Sequence, residues 1–161
     1  MADDRSRTSS INGSLHPPVR NRTEDSEEVC VPIKSDRDII IARQRGRELA
    51  ASIGFSSTDL TLIATAISEL SRNIALYAKT GEITMKPIRQ GDRKGITVVA
   101  RDEGPGIPDV SRALLDGFST SRSLGLGLSG VRRLMDGFEV VSEVNHGTTV
   151  SVKKWTIPIR Y

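Results

Sequence analysis

Glu69 and Asn73 lie four residues apart in the run I-S-E-L-S-R-N-I-A-L-Y-A, residues 67–78. Four residues is about one helical turn, so a carboxylate and an amide emerge on one face of a helix that otherwise reads as core. Such a pair must satisfy each other, a ligand or water. On an ordinary amphipathic helix it is a polar seam. At a site, the amide oxygen suits a hard cation such as Mg²⁺, which keeps several waters and takes few protein ligands. The carboxylate one turn earlier would then orient or deprotonate an attacking hydroxyl.

Three further stretches bear on the same chemistry. The first is D-E-G-P-G-I, residues 102–107. It makes an ordinary reverse turn, or else a base pocket in which Asp102 accepts from an exocyclic amino group. There Gly104 and Gly106, lacking Cβ, let the backbone approach a flat ring. A group that only accepts favours adenine over guanine, which would face it with a carbonyl. The second is S-R-S-L-G-L-G-L-S-G-V-R-R-L, residues 121–134. It is a loop and a small-residue helix, or an anion site built from free backbone N–H groups and a helix N-terminus. It is neither a Walker A loop, having no G-K-[ST], nor a G-x-G-x-x-G following a first strand. The third is Gly147-Thr148-Thr149, a hairpin turn or a hydroxyl that holds water against the base.

These residues need elements to hold them. Residues 29–33 alternate around Cys30 as a first strand, with Cys30 placed in the core. Ser35-Asp36 caps a helix over about 37–52 with Ile40, Ile41 and Leu49 inward, closed by Gly54. A second helix opens at Ser57 or Thr58. It carries Leu60, Ile63, Ala64, Ile67, Leu70, Ile74 and Tyr77 at 3–4 spacing, with Gly81 as its stop. Strands follow over 82–88 and 95–101, joined by the hairpin segment 90–95. A short helix is expected over 110–115, a polar loop over 117–124 and a helix over 125–136. The last two strands cover 138–144 and 148–156 and turn at His146-Gly147. This order predicts an α+β sandwich with helices on one face of a mixed sheet.

Composition excludes several classes. The 161 residues suit one domain, expected over 29–161 behind a disordered tail over 1–28 that lacks apolar periodicity. That tail holds six acids against four bases, a net −2, which leaves +5 on the rest of a chain whose total is +3. The balance suits a nucleotide or an acidic protein surface. Aromatics at 4% are too few for base stacking, so no nucleic-acid partner is expected. No apolar run reaches the ~20 residues of a membrane span, and M-A-D-D-R opens no secretory signal. With one cysteine, the expected location is the cytoplasm.

Taken together and in order, E-L-S-R-N (69–73), D-E-G-P-G-I (102–107), G-L-G-L-S-G (125–130) and H-G-T (146–148) resemble the N, G1, G2 and final threonine motifs of the GHKL ATPase/kinase superfamily. The phrases I-S-E-L-S-R-N-I, G-P-G-I-P-D, D-G-F-S-T-S and G-V-R-R-L-M-D-G-F are similar to the RsbT-type switch serine/threonine kinases of the bacterial stressosome. Those kinases are close to the anti-sigma-factor kinases RsbW and SpoIIAB. The resemblance implies a Bergerat-type two-layer fold holding ATP and Mg²⁺. It implies Glu69 as base, Asn73 as magnesium ligand and Asp102 on the adenine amino group. Gly104 and Gly106 would shape the base pocket, and Thr148 would support adenine through water. The 119–123 region would be the ATP lid, with Ser121 and Arg122 at the phosphates. Gly125, Leu126, Gly127 and Leu128 would wrap them. Only His16 and His146 are present, neither on a predicted helix, so the phosphate acceptor is expected on another protein. For this kind of kinase the acceptors are STAS-domain antagonist and scaffold proteins (RsbS- and RsbR-like). The released kinase then activates a PP2C-type phosphatase (RsbU-like). The alternative is an anti-sigma factor that sequesters a sigma subunit. Arg72 is read as helix surface, and Trp155 as packed.

Overall fold

The computed structural model describes residues 27–115 and 125–158. In order they form β1 (Val29–Ile33), α1 (Asp36–Ile53), α2 (Ser57–Asn73), a π-helical turn (Ile74–Ala78) and β2 (Gly81–Gln90). After these come β3 (Arg93–Asp102), α3 (Val110–Ala113), α4 (Gly127–Leu134), β4 (Gly137–Glu143) and β5 (Gly147–Trp155). The strands make one five-stranded sheet in the order β1-β2-β3-β5-β4.

Every pairing in that sheet is antiparallel, where a mixed sheet was expected. The cause is topological. Two antiparallel helices between β1 and β2 bring the chain back reversed. The crossover through α4 does make β4 run in the direction of β3, but β5 folds back between them and pairs with both. No two strands of like direction are neighbours. The α+β two-layer arrangement holds: α1, α2 and α4 pack on one face.

The core lies between the layers. Ile63, Ile67, Leu70 and Ile74 meet Ile83, Met85, Ile96, Val98, Val150 and Val152, all at 5% exposure or less. Each such side chain contributes roughly 1.5–3 kcal/mol on burial. In α1 the buried stripe is Ala42, Gly46, Leu49 and Ala50. Ile40 and Ile41, expected inward, stand 65% and 36% exposed. Three consecutive isoleucines span an arc of about 200° on a helix, so the whole run cannot face inward. Cys30, expected in the core, is exposed as well. The alternation of β1 buries Val31 and Ile33, so Cys30 falls on the outer face beside Thr84 and Glu82.

Ends and turns follow local chemistry. The Asp38 carboxylate accepts from the N–H groups of Lys34 and Ser35 at 2.9 and 3.1 Å, tying down the start of α1. Gly54, at φ +106°, closes that helix. The β2–β3 hairpin turns on Gly91-Asp92, tighter than the 90–95 segment expected, and the strands run correspondingly longer. At the far end of α4, Lys154 Nζ donates to the Leu134 carbonyl at 2.8 Å, pinning the helix C-terminus to β5. Trp155 is half-buried as expected, lying across Gly95 with the Arg93 guanidinium 5.1 Å above its ring. Of the expected 1–28 tail, residues 1–26 lie outside the described residues. Among the described residues no helix is long and apolar enough to cross a membrane.

Candidate functional site

A cavity of about 430 Å³ opens between α2 and the sheet. This is within the range of small-molecule sites. Glu69, Asn73 and Tyr77 line one wall. They follow at i, i+4 and i+8 on the flank of the α2 core stripe, which is why a helix with an apolar face carries polar groups there. Asn73 is the last α-helical residue before the π turn, an irregularity often found at functional sites. Tyr77, expected as a core position, is 48% exposed and forms part of the cavity wall.

Glu69 is only 7% exposed. Its Oε1 accepts from Arg72 Nη1 at 2.7 Å, so the carboxylate enters the site already charge-paired. Its Oε2 faces Gly125: a Cβ there would lie 2.5 Å from that oxygen. Gly125 is therefore small because the chain must pass directly over the carboxylate.

The opposite wall is the end of β3. Asp102 stands in register with Gly81 on one side and Thr148 on the other. Its Oδ1 accepts from the Gly104 N–H at 2.9 Å, an Asx turn that fixes the carboxylate while the chain bends away. The turn is latched to the β4–β5 hairpin. Asn145 N–H donates to the Pro105 carbonyl at 2.8 Å, and Ile107 N–H donates to Ser142 Oγ at 2.8 Å. Gly106 has φ +75°, and a Cβ there would run into the Glu143 carbonyl. Gly104 stands apart from the cavity lining, and its missing Cβ is explained by packing against Ala78.

Gly127 and Leu128 line the side formed by the start of α4, Gly127 with φ +67°. Leu126 is 50% exposed and outside the lining. Ser121 and Arg122 lie outside the described residues. The structure thus brings Glu69, Asn73, Asp102, Gly106, Gly125, Gly127, Leu128 and Thr148 around one space. It leaves Gly104 and Leu126 beside it.

Sequence reasoning missed Arg112 and Ser142 as well as Tyr77. Arg112 joins the lining from α3. Its signal is weak, a base shortly after the Gly/Pro turn. Ser142 had a clearer one: Phe138, Val140 and Ser142 alternate onto the same face, and a serine stands where an apolar residue would close the pattern.

The donor set fits magnesium. Asn73 lines the cavity, and its amide would offer one hard oxygen. One amide, with the ligand's own oxygens and water, is the kind of coordination Mg²⁺ accepts.

Comparison with known proteins bears on the family. Residues 58–158 match the family described as histidine kinase-, DNA gyrase B-, and HSP90-like ATPase. The chain is 47% identical over 130 residues to the serine/threonine-protein kinase RsbT of Bacillus subtilis, covering 81% of this chain and 98% of that protein. It is 34% identical over 120 residues to the anti-sigma F factor of Geobacillus stearothermophilus, covering 70% of this chain and 81% of that one. Among solved structures, the RsbU and RsbW domains of Rv1364c from Mycobacterium tuberculosis superpose with a TM-score of 0.53 at 19% identity. That match covers 83% of this chain and 34% of the other, so this chain spans about a third of that protein, and the likeness is one of fold alone.

Proposed function

This chain belongs to the histidine kinase-, DNA gyrase B- and HSP90-like ATPase family, and from that premise we propose that it is an ATP-dependent protein serine/threonine kinase of the partner-switching type. The observation that carries the reading is the shared cavity, with Glu69 and Asn73 on one wall, Asp102 and Thr148 on the other, and the start of α4 between them.

The purine sits at the Asp102 wall. Asp102 accepts from the exocyclic amino group, and Thr148 contacts the ring edge through water. The phosphates run toward Gly125, Gly127 and Leu128, where the backbone and the positive end of the α4 dipole favour an anion. Asn73 would hold a magnesium ion, which would supply charge neutralisation at the phosphates. Ser121 and Arg122 are assigned to the phosphates by the sequence resemblance alone. Glu69, held by Arg72, takes the proton of an acceptor serine or threonine hydroxyl. The hydroxyl oxygen then forms its bond to the γ-phosphorus as the bond to the β–γ bridging oxygen breaks, releasing ADP. Positioning and charge placement account for most of such a reaction.

The acceptors in this reading are STAS-domain proteins of the antagonist and scaffold kinds, and the released kinase activates a PP2C-type phosphatase. The setting is cytoplasmic, with neither membrane nor nucleic acid involved. The 47% identity to RsbT supports this choice. A second reading, an anti-sigma factor that sequesters its target, is favoured by the 34% identity to anti-sigma F factor. A direct sigma-binding assay separates the two. The deciding experiment incubates the full chain with ATP, Mg²⁺ and a STAS-domain partner encoded nearby, then maps the phosphosite. Phosphate on a partner serine or threonine is expected. A partner left unmodified while the chain binds a sigma subunit overturns the kinase reading.

A further inference from the structure

Three side chains line up across neighbouring strands: Asp102 on β3, Thr148 on β5 and Ser142 on β4, each in register with the next. Asp102 and Thr148 line the cavity, whereas Ser142 stands one strand behind, on the edge. Ser142 Oγ is 2.8 Å from Thr148 Oγ1, 2.8 Å from the Ile107 nitrogen and 3.2 Å from the Gly147 carbonyl oxygen. Three contacts converge on an oxygen that has one proton and two lone pairs.

One set of directions uses all three contacts at once. The Ile107 N–H only donates, so Ser142 accepts there. The Gly147 carbonyl only accepts, so it takes the Ser142 proton. The second Ser142 lone pair then receives the Thr148 hydroxyl proton. This arrangement satisfies all four groups. The reverse setting, with Ser142 donating to Thr148, removes the Ser142 donor from the Gly147 carbonyl. In the satisfied arrangement the Thr148 oxygen has spent its proton and presents only lone pairs to the cavity, beside the Asp102 carboxylate.

We propose that Ser142 is a specificity-determining positioning residue. It fixes the Thr148 hydroxyl as an acceptor, so the base end of the cavity shows acceptors only, and through Ile107 it holds the 102–109 turn against β4. The inference rests on the nucleotide reading above and deepens it. A bridging water that donates to Thr148 has its second proton for a ring nitrogen, which suits an adenine edge. A Thr148 released from Ser142 turns its own proton toward the ligand and tolerates a purine carbonyl.

The test is calorimetric titration of the full chain with ATP and with GTP, each with Mg²⁺. Ser142→Ala is expected to weaken ATP by about ten-fold. It is expected to weaken GTP less, so that the preference for ATP narrows several-fold. Ser142→Thr restores the preference. Ser142→Val, which shares the shape of threonine and lacks its hydroxyl, behaves like Ser142→Ala. The threonine–valine pair remains informative if the alanine variant fails to fold. Equal losses for ATP and GTP, or unchanged affinities in Ser142→Val, overturn the proposal while leaving the kinase reading in place. A wild-type chain that binds no ATP removes that reading itself, and this inference with it.

Discussion

In the proposed reading, Glu69 and Asp102 divide the labour of the site by position. Glu69 is buried beside Arg72 where phosphates would end, whereas Asp102 is held by its Asx turn where a base would begin. Glu69→Ala should therefore bind ATP within a few-fold of wild type yet transfer phosphate about 10²–10⁴-fold more slowly, the usual contribution of a placed base. Asp102→Asn keeps shape but turns one acceptor into a donor facing an amino group, and should weaken ATP by about 10–100-fold. Titration with ATP and a transfer assay on the same preparations check both, and transfer at wild-type rate by both variants sinks the assigned roles. These two residues were legible because spacing along one chain places each of them: one helical turn for Glu69 and Asn73, a strand end before a Gly/Pro turn for Asp102. Ser142 and Arg112 were not, because their positions depend on which strand and which short helix come to lie beside the motif, and that is decided by tertiary packing.

Elements make the site by bringing backbone close to backbone, and glycines mark where. Gly147 has φ +104°, and a Cβ there would collide with the Asp102 carbonyl. Gly91 has φ +59° but open space around it. Gly147→Ala should cost about 2–4 kcal/mol, from conformation plus displacement, and should weaken ATP because β5 moves off Asp102. Gly91→Ala should cost about 1 kcal/mol and leave ATP affinity unchanged. Denaturant melts with parallel nucleotide titrations distinguish them, and equal effects on ATP would refute the argument. At the start of α1, the Lys34 N–H bond to Asp38, helped by Ser35, holds this carboxyl below its ordinary 3.8. The folded chain thus takes up that proton less readily than the unfolded one. The contribution is complete above the ordinary carboxylate range and is lost as pH falls through the lowered value. Stability measured from about pH 5 down to pH 2 should fall less steeply in Asp38→Asn than in wild type. An unchanged slope would count against the cap. Periodicity revealed the elements themselves, including the long α2. It did not reveal strand neighbours, since nothing in the order of segments says that β5 inserts between β3 and β4. Nor could it say which end of the Ile39–Ile40–Ile41 run turns inward.

At the scale of the whole molecule, the cavity lies between the two layers: Glu69 and Asn73 belong to the helices, Asp102 and Thr148 to the sheet. A ligand that spans both walls binds the folded chain and has no equivalent site in the unfolded one, so it must stabilise the molecule by mass action. At a nucleotide concentration of 100 Kd that amounts to about 2.7 kcal/mol. For a domain of this size it raises the melting temperature by about 5–10 °C. Thermal melts with and without magnesium and ATP should show this rise in wild type. Glu69→Ala should retain it, because in the proposed reading the lost carboxylate acts on the incoming hydroxyl rather than on the nucleotide. Asp102→Asn should lose most of it at the same concentration, because one wall no longer engages. The melts need no partner protein and so isolate the pocket from the signalling around it. A wild-type melting curve indifferent to magnesium and ATP at millimolar concentration would mean that the two walls do not grip a nucleotide between them.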